Sequence, residues 1–221
     1  MSALCQKKPC VPGSKKTSKA KKRLAVLCSG NGSNLQAFLD AERKGALGPA
    51  EVALVVCDRP EAYALVRANR AGKPAALLNY QDFATREAFD AALLGVLRKA
   101  GIDFVILAGF MRILSAKFVG AFSGRMLNVH PSLLPAFRGA HAIRDAVEYG
   151  ARVTGVTVHF VTPELDSGPV IFQEAVIVKA DDTAETLAKR VHAVEHRLYP
   201  LAARRLAEGR VRVSGRRVTV R

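Results

Sequence analysis

The sequence has no run of apolar residues close to the roughly 18 that a membrane-spanning helix needs. Its amino-terminal segment is basic but lacks the apolar stretch of a secretory signal. These two absences argue against a membrane protein and against a secreted one. With 49% hydrophobic and 24% charged residues, the composition is typical of a globular protein, and a cytoplasmic location is expected.

Cysteine is scarce, and its spacing is irregular. The four cysteines are Cys5, Cys10, Cys28 and Cys57, and no two of them form a CxxC pair. Zinc sites and disulfide frameworks both depend on closely and regularly spaced cysteines. The sequence therefore predicts neither of them, and no metal cofactor is expected.

Acidic residues are missing from residues 1–23, where seven lysines and one arginine supply a large part of the net charge of +15. A second basic cluster occupies residues 197–221, in which Glu208 is the only acid. Neither cluster alternates with aromatic side chains on which bases could stack. We interpret the clusters as a solvated tail and a basic rim, and specific binding of nucleic acid is not expected.

Residues 1–22 have almost no apolar content, which predicts a disordered tail, and residues 23–221 are predicted to form one domain. Short apolar runs alternate there with amphipathic segments, as in the helix expected between Thr85 and Gly101. Repeated strand–helix units predict an α/β fold with a doubly wound, mostly parallel sheet. Residues 153–161 and 169–178 are two strands without a helix between them, so we expect them to be antiparallel.

The carboxyl-terminal part is predicted to contain a long helix and a hairpin. Residues 183–209 have the helical pattern, and Pro200 within it predicts a kink or a break. The last apolar run predicts a hairpin that turns at Ser214 and Gly215.

Ligands of doubly wound sheets bind beyond the carboxyl ends of the strands. That rule selects four loops as parts of a site, with the sequences SGNGSN, AGFMRIL, NVHPSLLP and VTPELDSGP.

The first loop joins a strand to a helix and is rich in glycine. Its backbone can approach a ligand closely, and a helix amino terminus attracts phosphate, so we favour a phosphate monoester on a small substrate. A dinucleotide fingerprint needs a third glycine where Leu35 stands, although Asp58 after the second strand leaves a nicotinamide cofactor open. A purely structural turn, with Ser33 as the helix N-cap, is also open.

Asn128 and His130 lie two residues apart on one strand, so their side chains share a face, and Pro131 ends the strand. Alone, such a histidine is more often structural. Asp166 lies in a loop bounded by glycine and proline, and together the three side chains suit acyl transfer. The amide can donate to an oxyanion, the imidazole can exchange protons, and the carboxylate can raise the pKa of the imidazole. His159 and His192 are expected to be structural.

Five segments together, SGNGSNLQA, AGFMRIL, NVHPSLLP, TVHFV and ELDSGPVI, resemble the phosphoribosylglycinamide formyltransferase family. The resemblance spans about residues 23–213 and implies a Rossmann-like formyltransferase fold. It implies transfer of the formyl group of 10-formyltetrahydrofolate to the amine of glycinamide ribonucleotide, a step of de novo purine biosynthesis. A folate is then the expected co-substrate and no metal is expected, and the oligomeric state is left open between a monomer and a homodimer.

The resemblance also implies roles for individual residues. The implied catalytic residues are Asn128, which polarises the formyl oxygen, His130, which shuttles the proton, and Asp166, which raises the pKa of His130. The implied ribonucleotide-binding residues are Gly32, Ser33, Asn34, His192, Ala193, Val194 and Glu195. The implied folate-binding residues are Arg86, Met111, Arg112, Ile113, Leu114, Asn128, Thr162, Pro163, Glu164, Leu165 and Asp166, with residues 111–114 acting through backbone groups and Arg86 facing the glutamate tail.

One position departs from the family pattern, because Arg138 stands where a proline is expected. The RGA sequence at this place is more similar to that of methionyl-tRNA formyltransferase, and a basic surface would suit tRNA. A tRNA- or other amine-directed formyltransferase is therefore the alternative. A formyltetrahydrofolate hydrolase is disfavoured, because Pro131 rather than a second histidine follows His130.

Overall fold

The computed structural model describes residues 20–221. The basic residues of the expected tail up to Lys19, together with Cys5 and Cys10, lie outside the described residues. The division into a tail of residues 1–22 and a domain of residues 23–221 stays a prediction.

The core of the structure is one seven-stranded sheet with the order β3-β2-β1-β4-β5-β6-β7. Strands β1 to β5 are parallel, whereas β6 is antiparallel to β5 and to β7, which confirms the predicted fold class. The strand bounds are β1 Lys22–Cys28, β2 Ala50–Cys57, β3 Ala75–Leu77, β4 Phe104–Leu107, β5 Met126–His130, β6 Val153–Phe160 and β7 Val170–Ile177. A separate hairpin contains β8 Val211–Ser214 and β9 Arg217–Val220.

Helices cover both faces of the sheet. One buried cluster packs α3 and α4 against one face, and a second packs α1, α2, α5 and α6 against the other. The helix bounds are α1 Ser33–Arg43, α2 Tyr63–Arg70, α3 Arg86–Lys99, α4 Ala116–Ala121, α5 Ala142–Glu148 and α6 Ala184–Ala207, with a 3₁₀ turn at Tyr80–Asp82. Within residues 20–221, none of these helices has the length and apolar character that crossing a bilayer requires.

Local signals at three helix and turn positions had different outcomes. The predicted N-cap of α3 is confirmed, since Oγ1 of Thr85 accepts from the Ala88 amide at 3.1 Å. Of the predicted kink or break at Pro200, the break is wrong, because α6 continues through this residue as one helix of 24 residues, and the kink stays a prediction. Pro200 and its neighbours are buried, and this packing outweighs one missing helical hydrogen bond. The hairpin turns at Gly215 and Arg216, one residue later than predicted.

The terminal helix α6 is tied to the middle of the sheet by Tyr199. This side chain is fully buried, and its hydroxyl lies 3.0 Å from the carbonyl oxygen of Leu107 and 2.8 Å from that of Leu127. Both carbonyls belong to strands that carry a candidate loop, β4 and β5. The contact therefore fixes the helix relative to the carboxyl edge of the sheet.

Candidate active site

The SGNGSN loop leaves the amino terminus of α1 open toward solvent. Gly32 is the N-cap and has φ +73°, with no side chain capping the helix. The alternative in which Ser33 caps the helix is wrong, because Ser33 is already its first helical residue. A left-handed cap suits glycine, and a Cβ at Gly32 would lie 2.8 Å from the Cβ of Ala64. The first amides of α1 have no helical partner, so they can bind an anion.

A buried carboxylate lies beside this helix terminus. Glu195 on α6 is only 3% exposed, and its Oε2 lies 3.0 Å from Nδ2 of Asn34 and 3.0 Å from Nδ1 of His192. The hydrogen bond to Glu195 raises the pKa of His192 above its ordinary value. The Glu195 carboxylate therefore fixes the side chains of both Asn34 and His192 by hydrogen bonds.

These groups line a cleft of about 410 Å³, which we call the first cleft. It is bounded by residues 29–34, by Arg59 after β2, by Gly109 and Met111 after β4, and by His192 and Glu195. Two of the predicted ribonucleotide-binding residues do not line this cleft. Ala193 is exposed on α6, and Val194 packs against the core. Arg59 was not found from the sequence, where it is one of many arginines with no distinguishing pattern.

Asn128 and His130 project from β5 toward the face that is covered by α3 and α4, and the register of β6 brings a third polar residue beside them. His159 is the Cα partner of Asn128, and Nδ2 of Asn128 lies 3.3 Å from Nε2 of His159. His159 is 2% exposed, and burial lowers its pKa. From its position within a strand, His159 is expected to be structural. Its contact with Asn128 depends on the cross-strand register, which the sequence pattern does not reveal.

The Asp166 carboxylate lies between the two histidines. Its Oδ2 is 3.4 Å from Nδ1 of His130, and its Oδ1 is 3.9 Å from Nε2 of His159. The Gly139 amide donates to Oδ2 at 3.0 Å, and the carbonyl oxygen of Phe137 lies 2.7 Å from Nε2 of His130. The predicted side chains Asn128, His130 and Asp166 therefore lie close together, with His159 between Asn128 and Asp166.

The loop after β6 does not reach the site in the way that the carboxyl-edge rule predicts. Strand β6 is antiparallel to β5 and ends beside Leu127, so this loop starts at the opposite edge of the sheet. Asp166 reaches the histidines because residues 161–168 fold back across the sheet face. Asp166 itself has φ +46°, a left-handed conformation that aspartate tolerates better than most residues.

A second cleft, of about 110 Å³, lies on this face between the loop after β4 and the loop after β6. It is lined by mostly apolar side chains together with Asn128, His159 and residues 161–166. The predicted residues Arg112, Ile113 and Leu114 also line it.

Met111 differs from its neighbours in the loop after β4. Its amide donates to Oγ of Ser29 at 2.8 Å, and it borders the first cleft. The backbone amide of Met111 is therefore engaged by Ser29, and Met111 does not line the second cleft with Arg112, Ile113 and Leu114.

Arg112 turns its side chain away from solvent. Its Nε donates to the fully buried Oδ2 of Asp58 at 2.5 Å, and its guanidinium lies 4.1 Å from the ring centroid of Tyr80. The carboxylate that kept a nicotinamide cofactor open is thus buried under an arginine, which argues against that alternative.

Two further arginines lie outside these contacts. Arg86 begins α3, pairs with the adjacent Glu87 at 3.1 Å, and lines neither cleft. Arg138 lines neither cleft, but its Nη1 lies 3.8 Å from Oε1 of Glu164, a residue that lines the second cleft.

The end of β5 separates the two clefts. Val129 and Pro131 face the first, and Asn128 faces the second. An amide, two imidazoles and a carboxylate therefore lie together beside the second cleft, and the first cleft borders the same strand end. Such a set can polarise a carbonyl and move a proton. Within residues 20–221, no three His, Cys, Asp or Glu side chains are arranged to hold a metal ion.

Comparisons with known proteins show the family and the fold of this chain. A profile of the formyl transferase family matches residues 22–203. Phosphoribosylglycinamide formyltransferase of Escherichia coli is 45% identical over 190 residues, which cover 86% of this chain and 89% of that protein. A solved structure, glycinamide ribonucleotide transformylase 1 of Symbiobacterium toebii, superposes with a TM-score of 0.89 and 48% identity, covering 95% of this chain and 99% of that one.

Longer relatives contain the same region as one part. The trifunctional purine biosynthetic protein adenosine-3 of Homo sapiens is 47% identical over 195 residues, which are 88% of this chain but 19% of that protein. The chain thus spans about a fifth or less of the length of the first curated relatives that it matches.

Proposed function

Because the chain belongs to the formyl transferase family, we propose that it transfers the formyl group of 10-formyltetrahydrofolate to the amine of glycinamide ribonucleotide. The products are N-formylglycinamide ribonucleotide and tetrahydrofolate, in a step of purine biosynthesis. One observation supports the proposal above the others: Asn128 lines the second cleft, its strand neighbours Val129 and Pro131 line the first, and Asp166 lies 3.4 Å from His130. A cytoplasmic location belongs to the same proposal.

The ribonucleotide is assigned to the first cleft. Its phosphate fits the amino terminus of α1, where Gly32, Ser33 and Asn34 offer backbone amides. Glu195 and His192 then face the ribose or the glycinamide part. Since the cleft is also lined by Pro131, the amine of the substrate lies next to the end of β5.

The folate is assigned to the second cleft. Its pterin meets the backbone of residues 112–114 on one side and residues 162–166 on the other, and the apolar lining suits a flat heterocycle. Arg86, exposed at the start of α3 and paired with the adjacent Glu87, is assigned to the glutamate tail, which would have to exchange with that pair.

The reaction then needs no nucleophile from the protein. The substrate amine attacks the formyl carbon, and the Asn128 amide donates to the oxyanion of the tetrahedral intermediate. His130, held by Asp166, moves the proton that the amine loses toward N10 of the folate. When the bond between N10 and the formyl carbon breaks, N10 takes that proton and the formyl group stays on the amine.

A direct assay tests this proposal. Purified protein is mixed with 10-formyltetrahydrofolate and glycinamide ribonucleotide, and tetrahydrofolate release is followed with time. We expect turnover that depends on both substrates. Folded protein that gives no formylated ribonucleotide contradicts the proposal.

A tRNA-directed formyltransferase is the second candidate, favoured by Arg138, which pairs with Glu164 of the second cleft, and by the basic composition. The same assay with aminoacylated tRNA as acceptor separates the two. Formylated tRNA without formylated ribonucleotide favours the second candidate. Binding that disappears on deletion of residues 1–22, or that falls steeply with salt without formylation, marks non-specific attraction.

A further inference from the structure

The carboxyl-terminal hairpin lies beyond the residues that match the family profile, which end at 203. It follows α6 and is held to the larger core by Val211, Val218 and Val220, which are partly buried. Strand β9 packs near β7, and the amide of Arg221 closes the hairpin on the carbonyl oxygen of Arg210 at 3.0 Å. The hairpin is thus a fixed part of the structure.

The turn of this hairpin touches the loop that carries Asp166. Arg216 occupies the turn, and its Nη1 donates to the carbonyl oxygen of Ser167 at 3.0 Å. Ser167 is 7% exposed and directly follows Asp166. A hydrogen bond from a guanidinium is stronger than one between neutral groups, so this contact is well suited to fix a single backbone carbonyl.

The loop of residues 161–168 needs such contacts, because one of its residues has a strained backbone and another packs closely against β6. Asp166 has φ +46°, which costs free energy in a free chain. Gly168 lies so close to β6 that a Cβ there would be 1.7 Å from the carbonyl oxygen of Phe160. The Gly139 amide holds the Asp166 side chain from one side. Arg216, 49 residues later in the chain, holds the adjacent peptide through the Ser167 carbonyl.

We propose that Arg216 is a positioning residue that keeps Asp166 between His130 and His159. It acts through the Ser167 carbonyl and touches neither the proposed substrates nor the reacting atoms. Its effect on turnover rests on the proposed function, whereas its effect on the loop does not. The hairpin thereby supplies part of the geometry of the site, although it lies beyond the residues that the family profile matches.

Arg216→Ala is the test variant, and Arg217→Ala, which removes the same charge one residue later, is the matched control. We expect Arg216→Ala to lower kcat by roughly tenfold, as for a displaced catalytic group. The KM for the ribonucleotide should change less than about twofold, because the first cleft is not involved. Arg217→Ala should leave kcat unchanged, and Arg216→Lys should restore part of it.

Amide hydrogen exchange provides a readout without substrates. Amides of residues 166–168 should exchange at least about fivefold faster in Arg216→Ala than in Arg217→Ala, since local opening becomes easier. Equal exchange and equal kcat in the two variants overturn the proposal. A lower Tm with unchanged kcat and exchange also overturns it, because it marks a purely stabilising role. If the unaltered protein forms no product, the proposed function fails, while exchange still decides the role of Arg216.

Discussion

Nδ1 of His130 lies 3.4 Å from Oδ2 of Asp166, and the two side chains are 5% and 7% exposed. They come from a strand and from a loop that folds back over it. Because water is largely excluded, the interaction between them is less screened than at the surface. Any reaction that moves a proton at His130 is therefore sensitive to the charge of Asp166.

Replacing either partner should remove most of the turnover. We expect His130→Ala or Asp166→Asn to lower kcat by roughly 10²-fold or more, which is the usual contribution of a general acid–base group. Steady-state kinetics with both substrates measure the effect. His141→Ala is the control, because His141 is an exposed histidine at the start of α5. Near-normal kcat in either test variant would overturn the assignment.

Gly32→Ala should destabilise the protein more than Gly45→Ala. Both glycines have similar dihedral angles, φ +73° and +68°, so both substitutions cost about 1 kcal/mol of backbone strain. Only at Gly32 would the new methyl meet Ala64, which adds roughly 1–3 kcal/mol of overpacking. Urea unfolding of the two variants measures the difference, and equal losses of stability would show that the contact is relieved without cost.

The contact between His192 and Glu195 should make stability depend on pH. The fold raises the pKa of His192, so the folded state favours the charged imidazolium. Its contribution to the free energy of unfolding is complete below the unfolded pKa of about 6.5 and is lost as pH rises through the higher folded pKa. The stability difference between the unaltered protein and His192→Gln should therefore shrink above neutral pH, and a pH-independent difference contradicts the contact.

Tyr199→Phe should lower the free energy of unfolding by about 1–3 kcal/mol, because the buried hydroxyl donates its one hydrogen to the carbonyl oxygens of Leu107 and Leu127, which it shares or alternates between, and that bond is lost. The substitution keeps the aromatic packing against Phe38. Tyr149→Phe is the control, since Tyr149 is 81% exposed. Denaturant unfolding measures both, and a loss no larger than that of the control would show that water replaces the hydroxyl.

Local patterns predicted the architecture well, because each depends on neighbouring residues. The strand–helix alternation, the antiparallel pair β6 and β7 and the Thr85 cap were all visible as short-range signals. The unbroken helix at Pro200 was not, because the burial that stabilises it comes from distant parts of the chain.

The site was predictable in its residue types and less so in its geometry. Asn128, His130 and Asp166 lie together, but the role of β6 in delivering the loop depends on strand direction. The contact of His159 with Asn128 depends on cross-strand register, and that of Arg216 with Ser167 on a long-range approach. None of these three relationships leaves a periodic signal in the sequence.

The hydrogen bond between Asn34 and Glu195 joins the first helix to the last. During synthesis on a ribosome, Asn34 emerges long before its carboxylate partner exists. The anchor of the first cleft therefore cannot form until residue 195 has left the exit tunnel. Contacts of such large sequence separation are slow to form, so the chain completes this cleft as a late event of folding.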